Sequence, residues 1–278
     1  MTARRILGVD FSGATDAGRR IWVAEGRARD DVFELLDLRP AAALEGGGLS
    51  PSVAIAALRA HIVKVPDTVA GLDFPFSIPR SLIEESSWIA FIRAFPARFG
   101  DADAFRNWAF RKAGMRELRR AADRAAKTPF NSYNLRIHRQ TWWGITALLH
   151  PLVVSGAAIV RPYQAMPRRP KPIVIEACPA CGMKSLGFYP QYKGRSDAHR
   201  AARRAVLRRL IVDRLMATPS RILSARMIDD PGGDALDAVI AAIATAHAEI
   251  APDADEDEMF EGRIYGTLHR PAVIAHVD

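Results

Sequence analysis

Three apolar runs of this chain end on an acid. ILGVD closes at Asp10, VAGLD at Asp73 and PIVIE at Glu176, and turn chemistry follows each at once: FSG, FPFSIP and ACPACG. Further on, the apolar stretch GGDALDAVIAAIATA carries Asp234 and Asp237, three residues apart and so on one face of a helix near its N-terminus. Acids gathered without histidine or thiolate partners suit hard, oxygen-loving ions, Mg²⁺ or Mn²⁺, rather than zinc. Two such ions about 4 Å apart can stabilise the attacking and the leaving oxygen of a phosphoryl group in an in-line displacement. The competing explanation is structural: acids at strand ends and in first helical turns commonly cap turns, complement the helix dipole or pair with arginines.

The elements around these acids are legible. Residues 4–40 read as three consecutive antiparallel strands, with GATDAG as a turn between the first two. A helix over PSVAIAALRAHIVK follows, with Ser50 or Ser52 at its N-cap, then a buried strand ending near Phe74. From residue 80 to 160 the spacing is helical: SLIEESSWIAFIRAF, DADAFRNWAFRKAGMRELRRAADRAAK and HRQTWWGITALLHPLVVSG. The strand PIVIEACPA and two helices, DAHRAARRAVLRRLIVDRLMA and GGDALDAVIAAIATAHAEI, complete the pattern. Strands alternating with helices predict an α/β fold whose later strands run parallel and are covered on both faces. In such sheets ligands bind outside the carboxyl ends of the strands, where the three acids stand. The expectation is one domain over residues 1–278 with a helical insertion at 80–160.

These residues and the order of their motifs carry a resemblance. Three antiparallel strands followed by α/β units, with Asp on the first strand, Asp ending the fourth and Asp on a late helix, resemble the ribonuclease H-like fold. The segments GVDFSGA, GLDFPFSIP, KTPFNSYNLRIHRQTWWGI, PIVIEACPA, GGDALDAVIAA and EGRIYG are similar, across nearly the whole chain, to a domain-of-unknown-function family predicted to be nucleases of that fold. The D-A-L-D pair also resembles the Holliday-junction resolvase branch. The resemblance implies that Asp10 bridges two metal ions, that Asp73 binds one, and that Asp234 or Asp237 completes the other. Glu176 is an extra acid beyond that minimal set. It further implies Arg139 and Gln140 as substrate contacts, while position in the chain adds Lys193, Arg195 and Ser12.

The 278 residues, 49% hydrophobic and 25% charged, exclude disordered and low-complexity classes. A formal net charge of +8 suggests an anionic partner, nucleic acid of undetermined type. Asp253 to Glu258 is locally acidic, so the positive charge is concentrated elsewhere. Arg200, Arg204 and Arg208 form one helical stripe; Arg111, Lys112, Arg116, Arg119, Arg120, Arg124 and Lys127 form a second basic patch. Either is a solvated face or a track for a nucleic-acid backbone. Two cysteines make no disulfide framework; CPAC lacks a zinc partner set and a thioredoxin-like setting, and reads as buried, inert thiols. Neither the N-terminus MTARRILGVDF nor the apolar stretch Thr146–Val160 reads as a leader or membrane span, so a cytoplasmic protein without membrane association is expected. The oligomeric state is open, with the resolvase likeness favouring a homodimer.

Two other functions remain. An ATP-using enzyme of the actin and sugar-kinase type shares the βββαβ core, and Asp10 to Thr15 and Gly232-Gly233 imitate its loops. Pro75 and Pro79, however, supply no N–H to a second phosphate loop. The other is a non-catalytic nucleic-acid-binding protein of the same fold.

Overall fold

The computed structural model describes residues 4–250 and 254–268. The first three residues of the N-terminal run and Asp253 of the acidic run lie outside the described residues. The chain is a mixed α/β structure. Strand β1 (Arg5–Asp10) leads through a short helix α1 (Ala17–Arg20), where the sequence predicts a plain turn, into the hairpin β2 (Trp22–Arg29) and β3 (Val32–Pro40). That hairpin turns through Asp30 and Asp31, both at positive φ (49° and 61°), a pair that short-side-chain polar residues tolerate and that matches the twist of the flanking strands. Helix α2 (Pro51–Val63), with proline in its first turn, precedes β4 (Thr68–Asp73).

The helical block that follows contains α3 (Trp88–Arg98), α4 (Ala102–Lys112), α5 (Ala121–Ala125) and α6 (His138–Trp143), the last continued by a π-helical turn into α7 (His150–Ser155). The segment read as one helix from residue 101 to 127 is two, because Gly114 and Met115 both adopt positive φ. Strands β5 (Ile159–Val160) and β6 (Ile173–Ala177) return the chain to the sheet. After them come α8 (Pro179–Ser185), α9 (Asp197–Val212), α10 (Arg221–Asp229), α11 (Asp234–Ala246), α12 (Glu256–Glu261) and β7 (Ile264–Tyr265). Three of these helices, α8, α10 and α12, are absent from the sequence-based pattern. Helix α12 forms within the acidic run because Asp255 and Glu258 cap each other's backbone N–H, and acids suit the positive end of a helix.

The sheet order is β3-β2-β1-β4-β6-β5, with β7 also on β6. The first three strands are antiparallel; β1-β4, β4-β6, β5-β6 and β6-β7 are parallel. Both faces are covered. One cluster joins Val9, Leu72 and Val174 to α2 and the helical block; the other joins Ile6, Val69 and Ile175 to α9, α10 and α11. No described helix is long and apolar enough to cross a membrane.

Candidate functional site

The carboxyl ends of the central parallel strands open into a cavity of about 550 Å³. Register places two of the acids together: Asp10 on β1 is paired directly with Asp73 on β4. Residues paired across a parallel sheet share a face, so both side chains leave on the α11 side. Helix α11 can press against that face because β1 and β4 carry glycines beneath it. A Cβ on Gly8 would sit 2.1 Å from the Ala242 nitrogen, and one on Gly71 would sit 1.9 Å from the Thr245 hydroxyl. This close approach brings the N-terminal turn of α11, with Asp234 and Asp237, to the cavity. Neither acid caps the helix: Asp230 does so, accepting from the N–H groups of Gly232 and Ala235 at 3.1 and 2.9 Å.

Glu176 also lines the cavity, but from the other side of the sheet. Its register partner is Leu72, one row before Asp73, so the pleat turns its side chain toward the helical block. There Arg120 donates Nη1 to Oε2 at 2.8 Å and Nη2 to Oε1 at 2.6 Å, while the Phe76 N–H donates to Oε2 at 2.9 Å. Asp123 accepts from the same guanidinium at 2.7 Å. The three strand-end acids that look equivalent in sequence are therefore two on one face and one, already paired, on the other. Arg120, which the sequence groups with a basic surface patch, is fully buried.

Lys193 stands among the remaining acids. Its ammonium lies 2.6 Å from Asp237 Oδ2 and 3.9 Å from Asp234 Oδ1. The hydroxyl of buried Tyr192 donates to Asp237 Oδ1, so both oxygens of Asp237 are occupied. The loop carrying Tyr192 and Lys193 is held by buried Arg203, which donates to the carbonyls of Tyr192 and Gly194 at 2.7 and 2.9 Å. The other sequence-derived contacts divide. Gln140 lines the cavity and its side-chain amide donates to the Asp73 carbonyl; Ser12 lines it beside Asp10 and accepts from the Ala14 N–H at 3.3 Å. Arg139 and Arg195 are exposed and do not line the cavity; Arg139 is turned toward Asp103, 3.7 Å away. Arg20, Arg136, Phe130 and Tyr189 do line it, and no local pattern marked them.

Electrostatics follow from this crowding. Burial, then the charges of Asp237 and Asp234, push the Asp10 carboxyl well above its ordinary range, against the opposing pull of Lys193. Burial and Asp237 raise Asp73 to about 8. Burial raises Asp234 to about 6 although Lys193 opposes it. Burial alone would lower the Lys193 ammonium, but Asp237 and Asp10 hold it above its usual value. Acids on the cavity lining outnumber its cations, Arg20, Arg120, Arg136 and Lys193. Among the described residues, no three His, Cys, Asp or Glu side chains are already arranged to grip an ion.

Cys178 lines the same cavity and is bonded to Cys181 in a disulfide. This corrects the reading of two inert thiols. The pair opens a helix, but after β6 and not after the first strand: Cys178 is the N-cap of α8, and its sulfur accepts from the Cys181 N–H at 3.2 Å. Compared with protein-family models, curated proteins and solved structures, the chain matches none.

Proposed function

We propose that this protein is a metal-dependent nuclease of ribonuclease H-like fold that hydrolyses phosphodiester bonds through the carboxylates of Asp10, Asp73, Asp234 and Asp237. One observation carries the reading: Asp10 and Asp73 are register partners at the carboxyl ends of adjacent parallel strands, and the two α11 acids share their cavity. The strand order and the antiparallel-then-parallel pattern support the fold.

The donor set fits a hard divalent cation. It is all oxygen, carries carboxyl groups raised by burial and by one another's charge, and, among the described residues, includes two acids, Asp10 and Asp73, that make no ion pair within 4 Å. Asp10 and Asp73 would hold the first ion, and Asp234 and Asp237 would complete the site of a second. Mg²⁺ or Mn²⁺ bound there supplies Lewis acidity toward a phosphoryl oxygen and acidity to a water molecule.

The chain's own residues then have separate tasks. Asp10 and Asp73 must lose their protons before they bind a cation. Lys193 must part from Asp237 for that carboxylate to serve as a ligand, and its released ammonium is placed to meet a phosphate oxygen. Gln140 fixes the backbone of Asp73, Arg203 fixes the Lys193 loop, and Arg120 keeps Glu176 paired and out of the ligand set.

The ATP-using alternative is disfavoured by the loop after β4. Its Phe74 N–H is spent on the Leu72 carbonyl and its Phe76 N–H on Glu176, and Pro75 has none. The test is cleavage of RNA, DNA, hybrid and branched substrates with Mg²⁺ or Mn²⁺ by the wild type and by Asp10→Asn. Loss of cleavage in the variant is expected, by at least a hundredfold on the scale of lost transition-state stabilisation; equal cleavage by the two overturns the carboxylate mechanism. A wild type that binds these substrates but cuts none supports the non-catalytic reading instead.

A further inference from the structure

Two aromatic rings on the cavity wall belong to neither hydrophobic cluster. Phe130 lies in the connection between α5 and α6, on the helical-block side. Tyr189 lies in the connection between α8 and α9, the loop that also carries Lys193, and is 49% exposed. Tyr189 thus presents a half-exposed ring to a cavity lined by both polar and apolar side chains, with the Lys184 ammonium 5.9 Å from its centroid. Its ring meets Tyr192 edge-on at 6.1 Å, and Tyr192 in turn donates to Asp237, so Tyr189 is tied to the acids through one residue. Phe130 has no ring neighbour among the described residues; the Arg136 guanidinium stands 5.4 Å from its centroid. Arg136 and Arg20 add positive charge to the same wall.

The chemistry that matches this wall is a nucleotide: phosphate toward the acids and the cations, base against a ring. Every base has a π-face, and stacking on an aromatic side chain contributes about 1–3 kcal/mol per base. A base inside a duplex has both faces covered by its neighbours, so only an unpaired or extruded one can reach a ring in a cavity of about 550 Å³.

We propose that Tyr189 and Phe130 hold an unpaired nucleobase at the acid cavity, and that the strand is single-stranded or locally opened at the nucleotide being processed. This rests on the nucleolytic reading above and specifies its substrate. The experiment measures binding of a fluorescently labelled thymidylate 12-mer, an abasic strand of the same length, and the 12-mer's duplex. Ca²⁺ is supplied as the cation, and the proteins are the wild type, Tyr189→Leu, Phe130→Leu and Tyr189→Phe.

The wild type is expected to bind the single strand about tenfold more tightly than the abasic strand or the duplex, in line with the stacking contribution of one base. Each leucine variant is expected to lose most of that preference while binding the abasic strand as the wild type does. Tyr189→Phe, which keeps the ring, is expected to retain it. Leucine variants that bind the 12-mer like the wild type, an equal loss on the abasic strand, or tighter binding of the duplex overturn the clamp. Asp10-dependent cleavage that persists alongside any of those results leaves the nuclease reading standing without the clamp. Failure to bind any strand overturns the clamp, and overturns the nuclease reading as well where Asp10-dependent cleavage of every substrate is absent.

Discussion

Arg120 and Glu176 meet across the boundary between the helical block and the sheet in a two-pronged contact of 2.6 and 2.8 Å, with both side chains buried. Nη1 of the same guanidinium also reaches the Glu261 carbonyl at 3.1 Å, and the Glu261 carboxylate accepts from the Arg80 and Ala121 N–H groups. One arginine therefore joins β6, the helical block and α12. Breaking a buried pair by removing one partner typically costs about 3–5 kcal/mol, because the other charge is stranded. Arg120→Leu is expected to lose about that much stability in urea titration. Glu176→Gln, which leaves Arg120 paired with Asp123, is expected to lose less and to leave Mn²⁺ affinity within twofold. A large loss of Mn²⁺ affinity in Glu176→Gln would place Glu176 among the ligands.

Lys193 occupies the oxygen of Asp237 that an ion would use. Lys193→Met removes the competing charge, so Mn²⁺ is expected to bind about tenfold more tightly in calorimetric titration. The lysine side chain is half exposed and solvent-screened, which keeps the effect well below a fully buried pair. Cleavage is expected to fall in the same variant, since the phosphate contact is lost. Weaker ion binding in Lys193→Met would show that the lysine supports the ligand set rather than opposing it.

The pH dependence has a definite sign. An unfolded Asp73 carboxyl ionises near 3.8, whereas the folded one ionises near 8. Between those values the folded state binds more protons, so in the absence of a divalent cation stability falls as pH rises from about 4 to 8. Asp73→Asn removes that loss and is expected to stabilise the ion-free protein at pH 8 by about 1–2 kcal/mol, the usual scale for relieving a strained site. Ion binding requires the deprotonated form, so Mn²⁺ affinity of the wild type is expected to rise from pH 6 to 8.5 with release of protons. A flat affinity over that range would contradict the assignment of Asp73.

Gly8 tests how the sheet positions the helical acids. A Cβ there would lie 2.1 and 2.2 Å from backbone atoms of Ala242 and Ala238, which cannot give way unless α11 lifts. Gly8→Ala is expected to destabilise by about 3 kcal/mol, as overpacking of a tight core does, and to weaken ion binding by displacing Asp234 and Asp237. Gly100→Ala, with no atom within 4 Å of its Cβ, is the neutral control. Thermal unfolding and Mn²⁺ titration measure both effects.

The sequence by itself determined the strand-end acids, the apolar helix bearing Asp234 and Asp237, and the alternation of strands with helices. These are local facts, set by apolar periodicity and by the turn residues that interrupt it. Tertiary structure alone decided which acids share a face. Strands buried on both sides read as continuous apolar runs, so the pleat leaves no alternation to follow, and the one-row offset between β4 and β6 that turns Glu176 away from Asp73 is a property of pairing. One cation was hidden for a related reason. Arg120 sits in a charge-rich segment that looks like solvated surface, and only the fold brings it to an acid 56 residues away in the chain, where burial makes the pairing matter. Lys193 stands out by its position in the chain, but only the fold gives it Asp237, 44 residues away, as its partner. The pairing of Cys178 with Cys181 likewise depended on α8 starting at that point, which puts two thiols three residues apart on one turn.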